Sequence, residues 1–200
     1  MRKQKISRLA LLALFVAIEI ILVVTPLGYI QLGTLQPTTC HVPVILAALL
    51  LGKKEGAIMG LVFGLSSMIY GTVVPSPASL FFSPFYSGNI LSGVVAVLPR
   101  VIFGFLAGWL NEVLQKMKFN DHLRVILTAV LATVAHTIMV LGLIYVFFGE
   151  LYASTFGLDY STLLKTFVLT LFSTNCLFEI LLAALISWPV VRAVEASRKQ

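Results

Sequence analysis

Apolar residues run in long blocks along this chain, and nearly every charge sits in the gaps between them. The blocks fall at about 8–25, 40–52, 55–73, 90–115, 123–148 and 162–190. About twenty apolar residues carry a helix across a bilayer core. The pattern therefore predicts an all-α membrane protein, a single six-helix bundle covering residues 1–200. Block 40–52 is short, about 20 Å at 1.5 Å per residue, so it is expected to tilt into the bundle or to begin below the surface. The loops 26–39 and 74–89 carry no charge, while loop 149–161 holds Glu150 and Asp159.

Charge then orients the bundle. Arg2, Lys3, Lys5 and Arg8 precede the first block, Lys53 and Lys54 separate the second from the third, Lys116, Lys118 and Arg124 separate the fourth from the fifth, and Arg192, Arg198 and Lys199 follow the last. All of these lie on one face, which the positive-inside rule assigns to the cytoplasm. Both termini are expected there. The first block resembles a secretory signal, but its length, Glu19 and the lack of a small-x-small cleavage site predict a retained helix. Loops as apolar as 26–39 and 74–89 are expected to fold back over the bundle, either as aromatic anchors at the interface or as a lid.

Composition removes the soluble alternative. Hydrophobic residues make up 59% of the chain and charged residues 11%, with mean hydropathy +1.01, against about a quarter charged in ordinary soluble proteins. The formal charge of +6 marks no nucleic-acid face, because the basic residues cap apolar runs without interleaved aromatics. Cys40 and Cys176 fit no metal or redox spacing and read as small hydrophobes. No phosphate loop, nucleophile elbow, His-Glu-x-x-His or other cofactor motif is present.

Small residues at four-residue spacing mark helix contacts in lipid. Gly56, Gly60 and Gly64 form one such row, and Gly104 and Gly108 another. Ala10, Ala13 and Ala17 fall within roughly 60° of one another on a helical wheel, with Glu19 almost opposite. That stripe faces either a partner or the rest of this chain.

Ionisable groups at membrane depth are costly and usually face a cavity or a partner. Glu19, Arg100, His136 and Glu179, with Asn175, fall at a similar mid-to-outer level. Arg100 lies about 15 Å below the outer end of its helix at 1.5 Å per residue. Asn175 and Glu179 share a face, and His41 and Asn89 lie nearer the mouth. Arginine suits a carboxylate because its planar fork donates two parallel hydrogen bonds. Arg100 thus either anchors an anionic ligand or pairs with Glu179 or Glu19.

Six segments in order carry a resemblance over the whole chain. They are Ala13 to Ala17 (ALFVA), Thr25 to Gly33 (TPLGYIQLG), His41 to Gly52 (HVPVILAALLLG), Gly60 to Leu65 (GLVFGL), Ser83 to Tyr86 (SPFY), and Pro99-Arg100 with Gly104 through Gly108. The chain resembles the S components, the substrate-binding membrane subunits of energy-coupling factor (ECF) vitamin transporters, and most of all their pantothenate-specific branch. The resemblance implies a vitamin binder of a bacterial plasma membrane that docks on a separate transmembrane coupling protein and two ATPase subunits. It implies that the alanine motif, Ala13 and Ala17 with Ala10 beside them, faces the coupling protein. It further implies that the chain delivers its cargo by toppling, with ATP hydrolysis left to the partners and no enzymatic activity of its own. From depth and chemistry we expect Arg100 to hold the vitamin's carboxylate, and Asn89, His41, His136, Asn175, Glu179, Tyr86 and Gln36 to share its other polar groups. The alternatives are a binder of cobalamin, pyridoxine or a pyrimidine precursor, an intramembrane enzyme, or a stand-alone facilitator.

Overall fold

A computed structural model describes residues 2–30, 38–171 and 174–197, with the side chains of 2–5, 170–171 and 174–175 left out. The described residues form helices and no strand: α1 (Arg2–Val24), α2 (His41–Leu51), α3 (Lys53–Val73), α4 (Ser79–Phe82), α5 (Pro84–Ser87), α6 (Ile90–Lys116), α7 (Asp121–Phe156), α8 (Tyr160–Leu171) and α9 (Thr174–Ser197). Five of them, α1, α3, α6, α7 and α9, are long and apolar enough to cross a membrane. Their outer faces carry exposed Leu14, Ile21, Leu61, Ile69, Phe105, Ile138, Leu181 and Leu185. So continuous an apolar exterior has lipid, not water, as its solvent.

α2 is the axis of the bundle. Every residue from His41 to Leu49 is buried, and Leu51 as well; a helix apolar all round belongs in a core. It packs against α1, α3, α6 and α9, which explains how so short a block keeps its place. Gly52 closes it at φ +106, a conformation that a side chain would strain, and α3 starts at once.

The glycine rows predicted as contacts face each other along an antiparallel α3–α6 seam. Gly56 meets Gly104, Gly60 meets the backbone of Arg100, Gly64 meets Val97, and Gly108 meets Lys53. At one end of the bundle lie all the ion pairs of the described residues. Arg8 pairs with Glu55, Lys53 with Glu112, and Arg124 with Asp121 and Glu195. Arg124 also donates to Asn111 Oδ1, so its buried guanidinium ties α6, α7 and α9 together. Sequence read Arg124 only as a topological charge.

The opposite end holds a second core. Phe81 of α4 is buried among Val95, Ile144, Phe148, Leu163 and Phe167. The loop 74–89 therefore does fold back on the bundle. Two boundaries differ from expectation. The stretch 149–161 was expected as loop, yet α7 continues to Phe156 past a kink at Phe148. Gly149 makes room for the Tyr160 ring, and Gly157 caps the helix at φ +65. The helix carries its charge, Glu150, on an exposed side, so one charge did not mark an end. The block 162–190 is described as two elements, α8 and α9, the second running on to Ser197.

Candidate ligand-binding site

Pro99 explains the central side chain. Proline has no N–H, so the carbonyl four residues earlier in α6, that of Val95, loses its usual helical donor. Arg100 Nη1 supplies one at 2.7 Å. The side chain thus folds back along its own helix and is held 6% exposed. Its guanidinium lies over the rings of Phe82 at 4.9 Å and Phe63 at 5.5 Å, an arrangement favourable to a cation. The Nε–H finds no acceptor. Neither Glu19 nor Glu179 forms an ion pair with it among the described residues. The internal pairing left open by sequence is therefore not made.

Other polar groups gather at the same level. Tyr29 and Glu179 both lie within electrostatic reach of Arg100, and so does His136. Glu179 Oε1 accepts from the Thr38 backbone N–H at 2.9 Å. His41 Nε2 lies 3.1 Å from the Glu179 backbone oxygen. Since a carbonyl only accepts, that nitrogen carries the proton, and Nδ1 has no hydrogen-bond partner. His136 packs against Phe103 at 4.9 Å and Phe63 at 6.1 Å between ring centroids, with Nε2 unpartnered. Buried polar atoms are normally satisfied; here Arg100, His41, His136 and Tyr29 each keep a free one.

Above these groups the first connection is pinned. Thr39 N donates to Gly28 O at 3.0 Å and Thr38 Oγ1 to the same oxygen at 3.0 Å. Tyr29 stacks on Tyr70 at 4.2 Å. A cavity of about 500 Å³ opens beside them, lined by Val23, Val24, Thr25, Pro26, Tyr29, Ile30 and Tyr70.

Of the predicted site residues, the fold brings Arg100, His41, His136 and Glu179 together. Asn89 is not with them. It is exposed, and its Oδ1 caps α6 by accepting from Leu91 N at 3.0 Å. Tyr86 is 48% exposed on the short α5. Asn175 belongs to α9 one turn before Glu179, its side chain outside those described; Gln36 lies outside the described residues. Sequence reasoning missed Tyr29, Phe63, Phe82 and Phe103. Phe103 is three residues beyond Arg100 and Phe63 three beyond Gly60, so helical spacing held a signal for both. On α1, Ala10, Ala13 and Ala17 are all exposed, while Phe15 and Glu19 are buried. The stripe is left uncovered by the described residues.

A lipid-facing helical bundle around unpaired polar groups is the architecture of a membrane protein that handles a small polar solute. The chain belongs to the family of ECF transporter substrate-specific components, whose model matches residues 7–191. It is accordingly a multi-pass cell-membrane protein and a transporter component. It is 32% identical over 206 residues to the pantothenic acid transporter PanT of Lactococcus lactis subsp. cremoris (strain MG1363), covering 99% of this chain and 98% of that protein. It is 30% identical over 190 residues to the pantothenate transporter PanT of Leuconostoc mesenteroides subsp. mesenteroides, covering 90% and 88% respectively.

Proposed function

We propose that this chain captures pantothenate at the outer face of the membrane and delivers it inward while docked on an ECF coupling protein with two ATPase subunits. Its nearly full-length similarity to two pantothenate transporters supports the cargo. The observation that carries the chemistry is Arg100, buried, flanked by Phe63 and Phe82, and joined to no carboxylate of the described residues. Pantothenate brings the carboxylate that this guanidinium lacks. His41 Nδ1, His136 and Tyr29 take part in binding the hydroxyls and amide.

In this reading the chain crosses the membrane six times, the five long helices being joined by the short buried α2. Both termini face the cytoplasm. The gathering of all four ion pairs of the described residues at the end where α1 starts and α9 finishes supports that orientation, as does the positive-inside rule. Calorimetric titration of the purified chain with pantothenate, cobalamin, pyridoxine and a pyrimidine precursor tests the cargo. Heat from pantothenate alone is expected; heat from any other vitamin in its place refutes the assignment.

The exposed alanine stripe of α1 serves as the docking face. Small residues let a partner helix approach closely in lipid, where packing supplies most of the association energy. Ala13→Trp or Ala17→Trp is expected to abolish co-purification of the coupling protein and ATPases while pantothenate still binds. Undiminished co-purification places docking elsewhere.

A further inference from the structure

One buried carboxyl group has no part in the recognition described so far. Glu19 of α1 is 0% exposed. Its Oε1 receives one long hydrogen bond, 3.5 Å, from Ser66 Oγ, the Cys40 thiol lies within reach of the carboxyl group, and its Oε2 has no hydrogen-bond partner. No cation stands at ion-pair distance among the described residues. A carboxyl group is costly at membrane depth, and an unsatisfied one costs more still, so its position calls for something to satisfy it.

Helical spacing shows where that something enters. Residues four apart share a helix face, so Val23 lies one turn beyond Glu19 on α1, and Tyr70 one turn beyond Ser66 on α3. Val23 and Tyr70 both line the 500 Å³ cavity. The Glu19–Ser66 pair therefore lies one turn beneath that cavity, on the faces that wall it. Tyr29 connects the two poles. Its ring lines the cavity, its hydroxyl is buried without a partner, and both Glu19 and Arg100 are within its electrostatic reach.

We propose that Glu19 is a specificity-determining ligand contact, its free oxygen accepting a hydrogen bond from a hydroxyl of the solute at the end remote from the carboxylate held by Arg100. The site then selects a molecule with an anion at one end and a hydroxyl donor at the other. A carboxyl group keeps an acceptor oxygen in either protonation state. The inference rests on the pantothenate reading, because pantothenate carries its hydroxyls at the end opposite its carboxylate.

The test titrates the full chain calorimetrically with pantothenate and with two analogues, each having one hydroxyl replaced by hydrogen. Sites built to hydrogen-bond a hydroxyl discriminate strongly against ligands lacking it. One analogue is expected to bind the wild type at least about tenfold more weakly than pantothenate. In Glu19→Ala that difference disappears, because pantothenate falls to the analogue's affinity. Glu19→Met, which fills the volume without an oxygen, gives the same result should the alanine variant fail to fold. Equal affinity of the wild type for pantothenate and both analogues overturns the proposal, and so does discrimination that persists in Glu19→Ala or Glu19→Met. A wild type that binds no pantothenate overturns the functional reading itself, and this inference with it.

Discussion

Arg100→Ala is expected to weaken pantothenate binding by two orders of magnitude or more. Truncating one partner of a buried, hydrogen-bonded charge pair costs about 2–5 kcal/mol or more, and each 1.4 kcal/mol is about tenfold in affinity. The geometry argues for the upper part of that range. One donor of the guanidinium is committed to the Val95 carbonyl at 2.7 Å, and this fixes the plane of the remaining donors between Phe63 and Phe82. A carboxylate thus meets a preorganised fork rather than a mobile one. Arg100→Lys should recover little, since an ammonium cannot reach the Val95 oxygen and present two parallel donors at once. Calorimetry on variants of verified thermal stability reads the effect directly. Unaltered affinity would remove Arg100 from the site and leave it as the donor to the Val95 carbonyl that Pro99 frees.

The sequence displayed the larger arrangement because lipid makes it cheap to read. Apolar blocks and gap charges located α1, α3, α6 and most of α7, and glycine spacing located the α3–α6 seam. Depth along each helix brought Arg100, His136 and Glu179 to one level, with His41 placed nearer the mouth. What escaped has three physical causes. Asn89 was assigned to the pocket from depth and chemistry, although an asparagine just before an apolar run is a common helix cap, and that is how its Oδ1 is used. Tyr29 sits in a non-helical connection, where no periodicity tells which way a ring points. The extension of α7 past Phe148 depends on Gly149 admitting the ring of Tyr160, a tertiary contact invisible in a linear pattern. The alanine stripe was ambiguous for a different reason. A wheel shows that two faces differ but not which one the chain itself covers, and burial of Phe15 and Glu19 settles that.

Gly60→Ala is expected to damage both stability and binding, although it adds a single methyl group. A Cβ at Gly60 would lie 2.0 Å from the carbonyl oxygen of Arg100, 2.7 Å from its carbonyl carbon and 3.0 Å from Val101 Cα. All three are helix backbone, so no side chain can swing aside, and α3 must withdraw from α6. Overpacking of a rigid core costs typically about 1–3 kcal/mol and sometimes more. Neighbouring steps of the seam resist the withdrawal, because Gly56 and Gly104 are in equally close backbone contact. Their separation would forfeit dispersion contacts along both helices. A fall of about 5–10 °C in the thermal midpoint in detergent is expected, taking about 2–4 °C per kcal/mol for a chain of this length. Binding should suffer as well, for the displaced carbonyl belongs to Arg100 and its movement turns the guanidinium away from Val95. Gly142→Ala is the control. It too lies inside a helix, but nothing stands within 4 Å of its added carbon, so the better helix propensity of alanine, up to about 1 kcal/mol, should leave that variant unharmed or slightly more stable. Equal behaviour of the two variants would show that the seam yields freely and that the close approach of α3 and α6 does not set the position of Arg100.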